Sequence, residues 1–481
     1  MHEPFLTRTR PYLIIAVLIA VGIAFRSWYI YDSEQFVISR DITYLTSPIA
    51  DSGYVDYTAD LREHFPATAE DPWVALTTEE ATPVAWRPWA KLADSDPVKQ
   101  VTAMRRIARC RALPFTEDDD SQVAELMQKS AAWFNAVEEA ELPPPGILWP
   151  HQVNGRTVFV PDVPASRSHV FITRMFLFRA MLNVGHGDFD ACLQSIGIAA
   201  KARDRELQMP LYSNFRNALI IESRISRAVT SIILASDSLS NTQLSRLCQF
   251  ATTTLTLKDV RHAVEHERYA ELDQLQVMHE TTKNPSLAAQ VNSLLMQQGL
   301  IRTLAPVPMM RCCNSVMDDM LDDLENPSYV ASLNAMMKTV KAQRLTEWEQ
   351  AYLSETFVVP RASRNQYAIS LNRKRFVHIA ARIHLYRRQN SAWPQSTLQL
   401  TDLQVGWPEP EDLFIDALTD KPFDLRPTKE GFTIQGSIMS PTRAGNAAAF
   451  SVFPGPQTFQ WPLVLPEELA PPPPSFGKSS D

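Results

Sequence analysis

Three groups of residues in this 481-residue chain have the types and spacing to do chemistry. The first is His262-Ala263-Val264-Glu265-His266. It matches the H-x-x-E-H pattern, in which two histidines one helical turn apart hold zinc and the glutamate acts as general base. Residues four apart share a helix face, so His262 and His266 can reach one ion with Glu265 alongside. A third ligand would come from downstream, where Glu347 and Glu349 are available. The helix itself argues the other way. Val260, Val264, Leu275 and Met278 define its apolar stripe, and the histidines project from roughly the opposite side among paired charges.

The second group is Met309-Met310-Arg311-Cys312-Cys313, continuing to Met317 and Met320. Thioethers and thiolates suit Cu(I). Adjacent cysteines on a helix point about 100° apart, however, and methionine equally fills irregular gaps in a core. The third is Glu222, which falls inside the stripe Phe215, Ala218, Leu219, Ile225, Val229, Ile232 and Ile233. A carboxylate there must be paired or protonated. An arginine such as Arg174 from a neighbouring helix would serve, and a perturbed catalytic acid is the alternative. No Walker loop, nucleophile elbow, dinucleotide fingerprint or Cys-x-x-Cys pair occurs. The reading therefore names no catalytic residue and no cofactor.

The elements that would position these groups are mostly helices. Periodicity predicts a helical domain over 98–390, with helices near 168–184, 188–204, 211–235, 241–254, 257–281, 327–354 and 366–388. An earlier one follows Thr116 and an acidic first turn, and an extended excursion covers 157–161. The two strongest helices meet at Gly185-His186-Gly187-Asp188, where Asp188 is the expected cap. The second arm, GDFDACLQSIGIAAKA, resembles the second helix of a tetratricopeptide repeat, with Ala191, Ala199 and Ala200 on its close face. After Asn390 short segments predict strands at 431–436 and 449–453 in a small α+β region, 391–469. A proline-rich tail follows over 470–481 and reads as disordered.

At the other end, residues 12–25 read YLIIAVLIAVGIAF without a charge. Counting 11–31 gives 21 positions, close to the roughly 20 needed to cross a bilayer. Arg8 and Arg10 precede the span, and Trp28, Tyr29 and Tyr31 suit an interfacial belt. A cleaved signal peptide, with Gly22 and Ala24 near the cut, is the competing reading. Either way residues 1–10 stay inside and the bulk of the chain lies beyond the bacterial cytoplasmic membrane, in the periplasm. Residues 32–97, broken by prolines, read as an irregular juxtamembrane arm docked by Trp73, Trp86 and Trp89.

Composition narrows function. The net charge of −8 without a basic run argues against nucleic acid as a partner, and 35 prolines against 14 glycines argue against Gly-rich phosphate loops. Five cysteines, an odd number, are too scattered for a disulfide framework.

The C-terminal order LYRRQN (385–390), WP (393–394), LTDL (400–403) and FIDALTDKPFDLR (from 414) resembles the C-terminal region of type II secretion pseudopilins. It is also similar to a group of uncharacterised, membrane-anchored planctomycete proteins, whose juxtamembrane segment resembles PIADSGYVDY at 48–57. Pseudopilins can hold calcium in the corresponding loop, but Ala417 and Asp420 stand where that family has proline and glycine, so no ligand carries over. The planctomycete resemblance spans nearly the whole chain and implies an anchor, a helical body and no assigned reaction. The expectation is a single-pass anchored scaffold with protein partners. Zinc hydrolysis at His262, Glu265 and His266, or copper binding over Met309–Met320, are the alternatives.

Overall fold

The computed structural model describes residues 17–24, 36–50, 53–64, 71–78, 114–116, 121–143, 152–153, 156–157, 164–209, 211–236, 239–251, 255–283, 306–322, 324, 338, 347–410, 412–417, 421–427, 432–435 and 458–461. In chain order the helices are α1 (Tyr57–His64), α2 (Pro72–Leu76), α3 (Ser121–Lys129), α4 (Ala131–Glu139), α5 (Pro164–Gly185), α6 (Phe189–Leu207), α7 (Tyr212–Ala235) and α8 (Asn241–Ala251). Then come α9 (Leu257–Lys283), α10 (Pro306–Asp322), α11 (Glu347–Asn390) and α12 (Thr397–Thr401). The mainly helical expectation holds.

Of the predicted span 11–31, residues 17–24 are described; they are helical, with exposed side chains. Among the described residues no helix is long and apolar enough to cross a membrane. The chain divides into two compact units, each assembled from three segments, and the helical stretch 98–390 contributes to both.

Unit 1 comprises residues 1–67, 149–162 and 264–361. Here the stretch predicted as an irregular arm is built into the fold. Gln276 on α9 donates to the Val55 carbonyl at 3.3 Å and accepts from its amide at 3.0 Å. Asn314 on α10 donates to the carbonyls of Asp41 and Ile42 at 3.2 and 3.0 Å. The Tyr57 hydroxyl donates to the Thr43 carbonyl. Backbone groups of a non-helical segment need partners once buried, and these side chains supply them. Tyr57 stacks on Tyr269, and the Arg268 guanidinium lies 4.1 Å from the Tyr44 ring centre. A short hairpin pairs Gln152–Val153 (β1) with Arg156–Thr157 (β2) around Asn154-Gly155, a sequence suited to a two-residue turn. Residues 158–161 of the predicted extended excursion lie outside the described residues.

Unit 2 comprises residues 68–148, 163–263 and 362–481. Its centre is the α5–α6 hairpin with α7 packed on both. Asp188 caps α6 by accepting from the Ala191 amide at 3.0 Å, and Ala199 and Ala200 are buried on the close face, as the pattern predicts. The run after Thr116 is two helices rather than one. Ser130 interrupts it, its hydroxyl donating to the Leu126 carbonyl at 2.8 Å. Such back-bonding competes with regular helix. Trp73 does dock as expected, burying its ring and donating Nε1–H to the Val137 carbonyl at 3.1 Å. Trp86 and Trp89 lie outside the described residues.

The end of the helix predicted at 327–354 and the whole of that predicted at 366–388 belong to one 44-residue α11 running through Pro360, while residues 327–337 and 339–346 lie outside the described residues. Its C-terminal part holds the small α+β region. Asn372 donates to Asp416 at 2.7 Å and accepts from the Ala417 amide at 2.8 Å, clamping the hairpin of β3 (Ile415–Asp416) and β4 (Lys421–Pro422). Asp416 is thereby turned inward within the segment that resembles the pseudopilin loop. Beyond it β5 (Asp424–Pro427), β6 (Phe432–Gln435) and β7 (Thr458–Trp461) form an antiparallel sheet in sequence order. The strand predicted at 449–453 lies outside the described residues.

Among the described glycines of this unit, Gly185 at the end of α5 makes the tightest backbone approach. A Cβ there would lie 1.9 Å from the Phe115 carbonyl oxygen, which is backbone and cannot rotate away. Gly185→Ala is therefore expected to destabilise unit 2 by about 3 kcal/mol, the upper range for overpacking a core. A urea midpoint unchanged from wild type would show that the 114–116 segment is not held there.

Candidate functional site

In unit 2 a set of charged side chains converges on His169. This histidine lies on α5 among Ile172, Met175 and Phe176 and is itself wholly buried. Its Nδ1 is 2.6 Å from Glu206 Oε1 on α6, and its Nε2 is 3.2 Å from Asp71 Oδ2, the residue that caps α2. Arg205 Nε donates to the same Asp71 oxygen, and its Nη1 donates to the Pro143 carbonyl at 2.6 Å. Asn214, in the first turn of α7, donates to Glu206 Oε2 at 2.8 Å. The Trp73 ring stands edge-on to the imidazole.

Two carboxylates offer only acceptors, so the imidazole must donate from both nitrogens, which requires the protonated ring. Burial opposes that charge on His169, but the hydrogen bonds and charges of Asp71 and Glu206 outweigh it and raise the pKa above its ordinary 6.5. Burial likewise pushes Asp71 up, but His169 and Arg205 outweigh it and lower its pKa below the ordinary 3.8. Two cations face two anions. With both ring protons committed, neither nitrogen can accept a proton from a substrate. The arrangement is chemically suited to locking α2, α5, α6 and the start of α7 together, and unsuited to general-base catalysis.

Glu222 on α7 is wholly buried, as its place in the apolar stripe implies. Its partner is Arg203 on α6, whose Nη1 donates to Oε2 at 2.8 Å; Arg174 is exposed on α5 instead. Ala199 and Arg203 lie one turn apart, so the close α6 face that admits neighbouring helices also delivers this guanidinium. Burial raises the Glu222 pKa, with Arg203 and Lys374 acting against the shift.

The other sequence candidates are placed less favourably for chemistry. His262 is exposed, while Glu265 and His266 are half-buried, the latter edge-on to Tyr269. The side chains of Glu347 and Glu349 lie outside the described residues. Among the described residues no group of three or more His, Cys, Asp or Glu is disposed to hold a metal. Met309, Met310, Cys312, Cys313 and Met317 are all fully buried, and Met320 is half-buried. Burial pushes the Cys312 thiol up to about 11 and Cys313 well above its ordinary value, so both are protonated thiols rather than thiolate ligands. Asp318 on α10 is largely exposed and pairs with Arg268 at 2.7 Å.

Asp71, His169 and Glu206 carried no local signal, because 98 residues separate the first pair and 37 the second. A clue available in the sequence was the adjacent Arg205-Glu206 pair in the last turn of α6. No protein-family model, curated protein or solved structure matches the chain.

The lock makes stability depend on pH in two directions. His169 has a raised pKa, so its contribution is complete below 6.5 and is lost as pH rises through the raised value. Asp71 has a lowered pKa, so its contribution is present above 3.8 and is lost as pH falls through the lowered value. In urea unfolding from about pH 5 to about pH 9, wild type should weaken toward the alkaline end. His169→Gln should lose that slope and cost about 3–5 kcal/mol at the acidic end, because it leaves buried carboxylates short of a cation. Superimposable profiles would mean that the ring is neutral.

Proposed function

We propose that the chain is a single-pass membrane-anchored protein whose helical body stands outside the cytoplasm and engages protein partners rather than turning over a substrate. The observation that carries the anchor is the apolar surface of residues 17–24. Val17, Leu18, Ile19, Val21 and Ile23 are each more than half exposed on a helical segment. Leaving a side chain of this size in water costs about 1.5–3 kcal/mol relative to burying it, and a hydrocarbon layer removes that cost. Arg8, Arg10 and the aromatic residues 28, 29 and 31 flank the segment in the order an interfacial helix requires.

A non-catalytic body is supported by the use of the polar groups at His169, which are consumed in holding helices. The α5–α6–α7 stack offers helix faces and grooves of the kind used in peptide and helix recognition. The resemblance to anchored planctomycete proteins points the same way.

Membrane fractionation tests the anchor. The full chain is expected to remain in the pellet after carbonate extraction. Leu18→Lys/Val21→Lys should release it, since each lysine adds about 2.5–3.5 kcal/mol at the centre of a span. Wild-type chain in the carbonate supernatant would overturn the proposal.

A further inference from the structure

His378 on α11 is fully buried, and among the described residues neither of its ring nitrogens has a hydrogen-bond partner. A neutral imidazole can be tolerated there at modest cost, whereas an imidazolium would be stranded with two unmet donors. Its own helix sharpens the contrast. Lys374 and Arg382 lie four residues to either side, so each stands one turn away. Both are buried cations, at 6% and 8% exposure.

The charged groups of the neighbouring elements are committed elsewhere. Arg382 clamps the chain that follows α12. Its Nε donates to Glu409 Oε1 at 2.7 Å and its Nη2 to Oε2, while Nη1 donates to the carbonyls of Leu400 and, at 3.0 Å, Leu403. Lys374 has Glu222, Arg203 and Asp259 as charged neighbours. Glu222 is bonded to Arg203 at 2.8 Å, and Asp259 accepts from the Thr256 amide and hydroxyl. Asp416 is bonded to Asn372. On α8, Cys248 is a protonated thiol, raised by burial and by Glu409. Burial, and then the Arg382 guanidinium, push the His378 pKa down to about 4.

We propose that His378 is an acid-sensitive latch, whose protonation releases α12 and the chain following it to Glu409 from α11. The added proton sets an imidazolium one turn from the guanidinium that clamps this segment, and the two repel. Opening the segment lets the ring reach water. While the ring is neutral, burial of Leu400 and Trp407 holds the segment shut. The lowered pKa fixes the direction. Docking is fully supported above the ordinary 6.5 and weakens as pH falls from there through about 4. Between about pH 7 and about pH 5 the balance shifts toward release about twentyfold.

Hydrogen–deuterium exchange of the detergent-solubilised full chain, read by mass on peptides covering 397–409, tests this. Corrected for the intrinsic rate, protection there is expected to fall about twentyfold from about pH 7 to about pH 5, while α5 to α7 stay protected. His378→Leu, which takes up no proton, should keep the segment protected at both pH values. His378→Gln should do the same, and it carries the test should the leucine variant fail to fold. Protection independent of pH in wild type, a fall that persists in the variants, or a fall shared by α5 to α7 would overturn the proposal.

Discussion

An imidazolium taken out of water has to be met by negative charge, and His169 is met by two carboxylates from different parts of the chain. The lone ion would be too costly to bury, and so would either carboxylate. The set survives only with every member in place. That condition ties Asp71 and the short helix it caps to α5, α6 and the start of α7. A slipped packing of the same apolar faces would bury much the same area but strand a charge, so the network selects one arrangement among several that hydrophobic burial alone would accept. Arg203 and Glu222 repeat the principle between α6 and α7 with a single pair.

Unit 1 solves a related problem with neutral groups. Residues 48–56 pair with one another only over a short stretch, at the Ile49–Val55 bridge, yet Val55 and Tyr57 are fully buried. Amide side chains from α9 and α10 take the place of a neighbouring strand, with Gln276 satisfying both backbone groups of Val55. Aromatic rings then fill the remaining space, with Arg268 laid over Tyr44. The asparagine and glutamine positions are thus as structural as the apolar ones. On α11 the Ser370 hydroxyl and both His378 ring nitrogens stand apart from both solutions, because they are buried without such compensation.

Much of the helical framework was legible because it rests on local rules. The apolar period of 3.6, the Gly185–Gly187 turn and the Asp188 cap predicted α5 to α9 nearly to their ends. Where tertiary context overrode local preference, the reading failed. Proline costs about 3 kcal/mol inside a helix, yet Pro360 lies within α11. Ser130, an unremarkable residue in a helical run, breaks that run by bonding back to Leu126. Glu222 could be recognised as buried from its place in the stripe, whereas its partner depended on how α6 approaches α7.

By itself the sequence determined the helical class, the ends of the central helices, the burial of Glu222 and the apolar N-terminal stretch, since each follows from spacing within one or two turns. Only the tertiary structure decided which charges meet. The meeting of His169 with Asp71 and Glu206 and the choice of Arg203 over Arg174 both depend on contacts between segments distant in the chain. Periodicity tells a side chain which face of its own helix it occupies; it carries no information about what stands opposite.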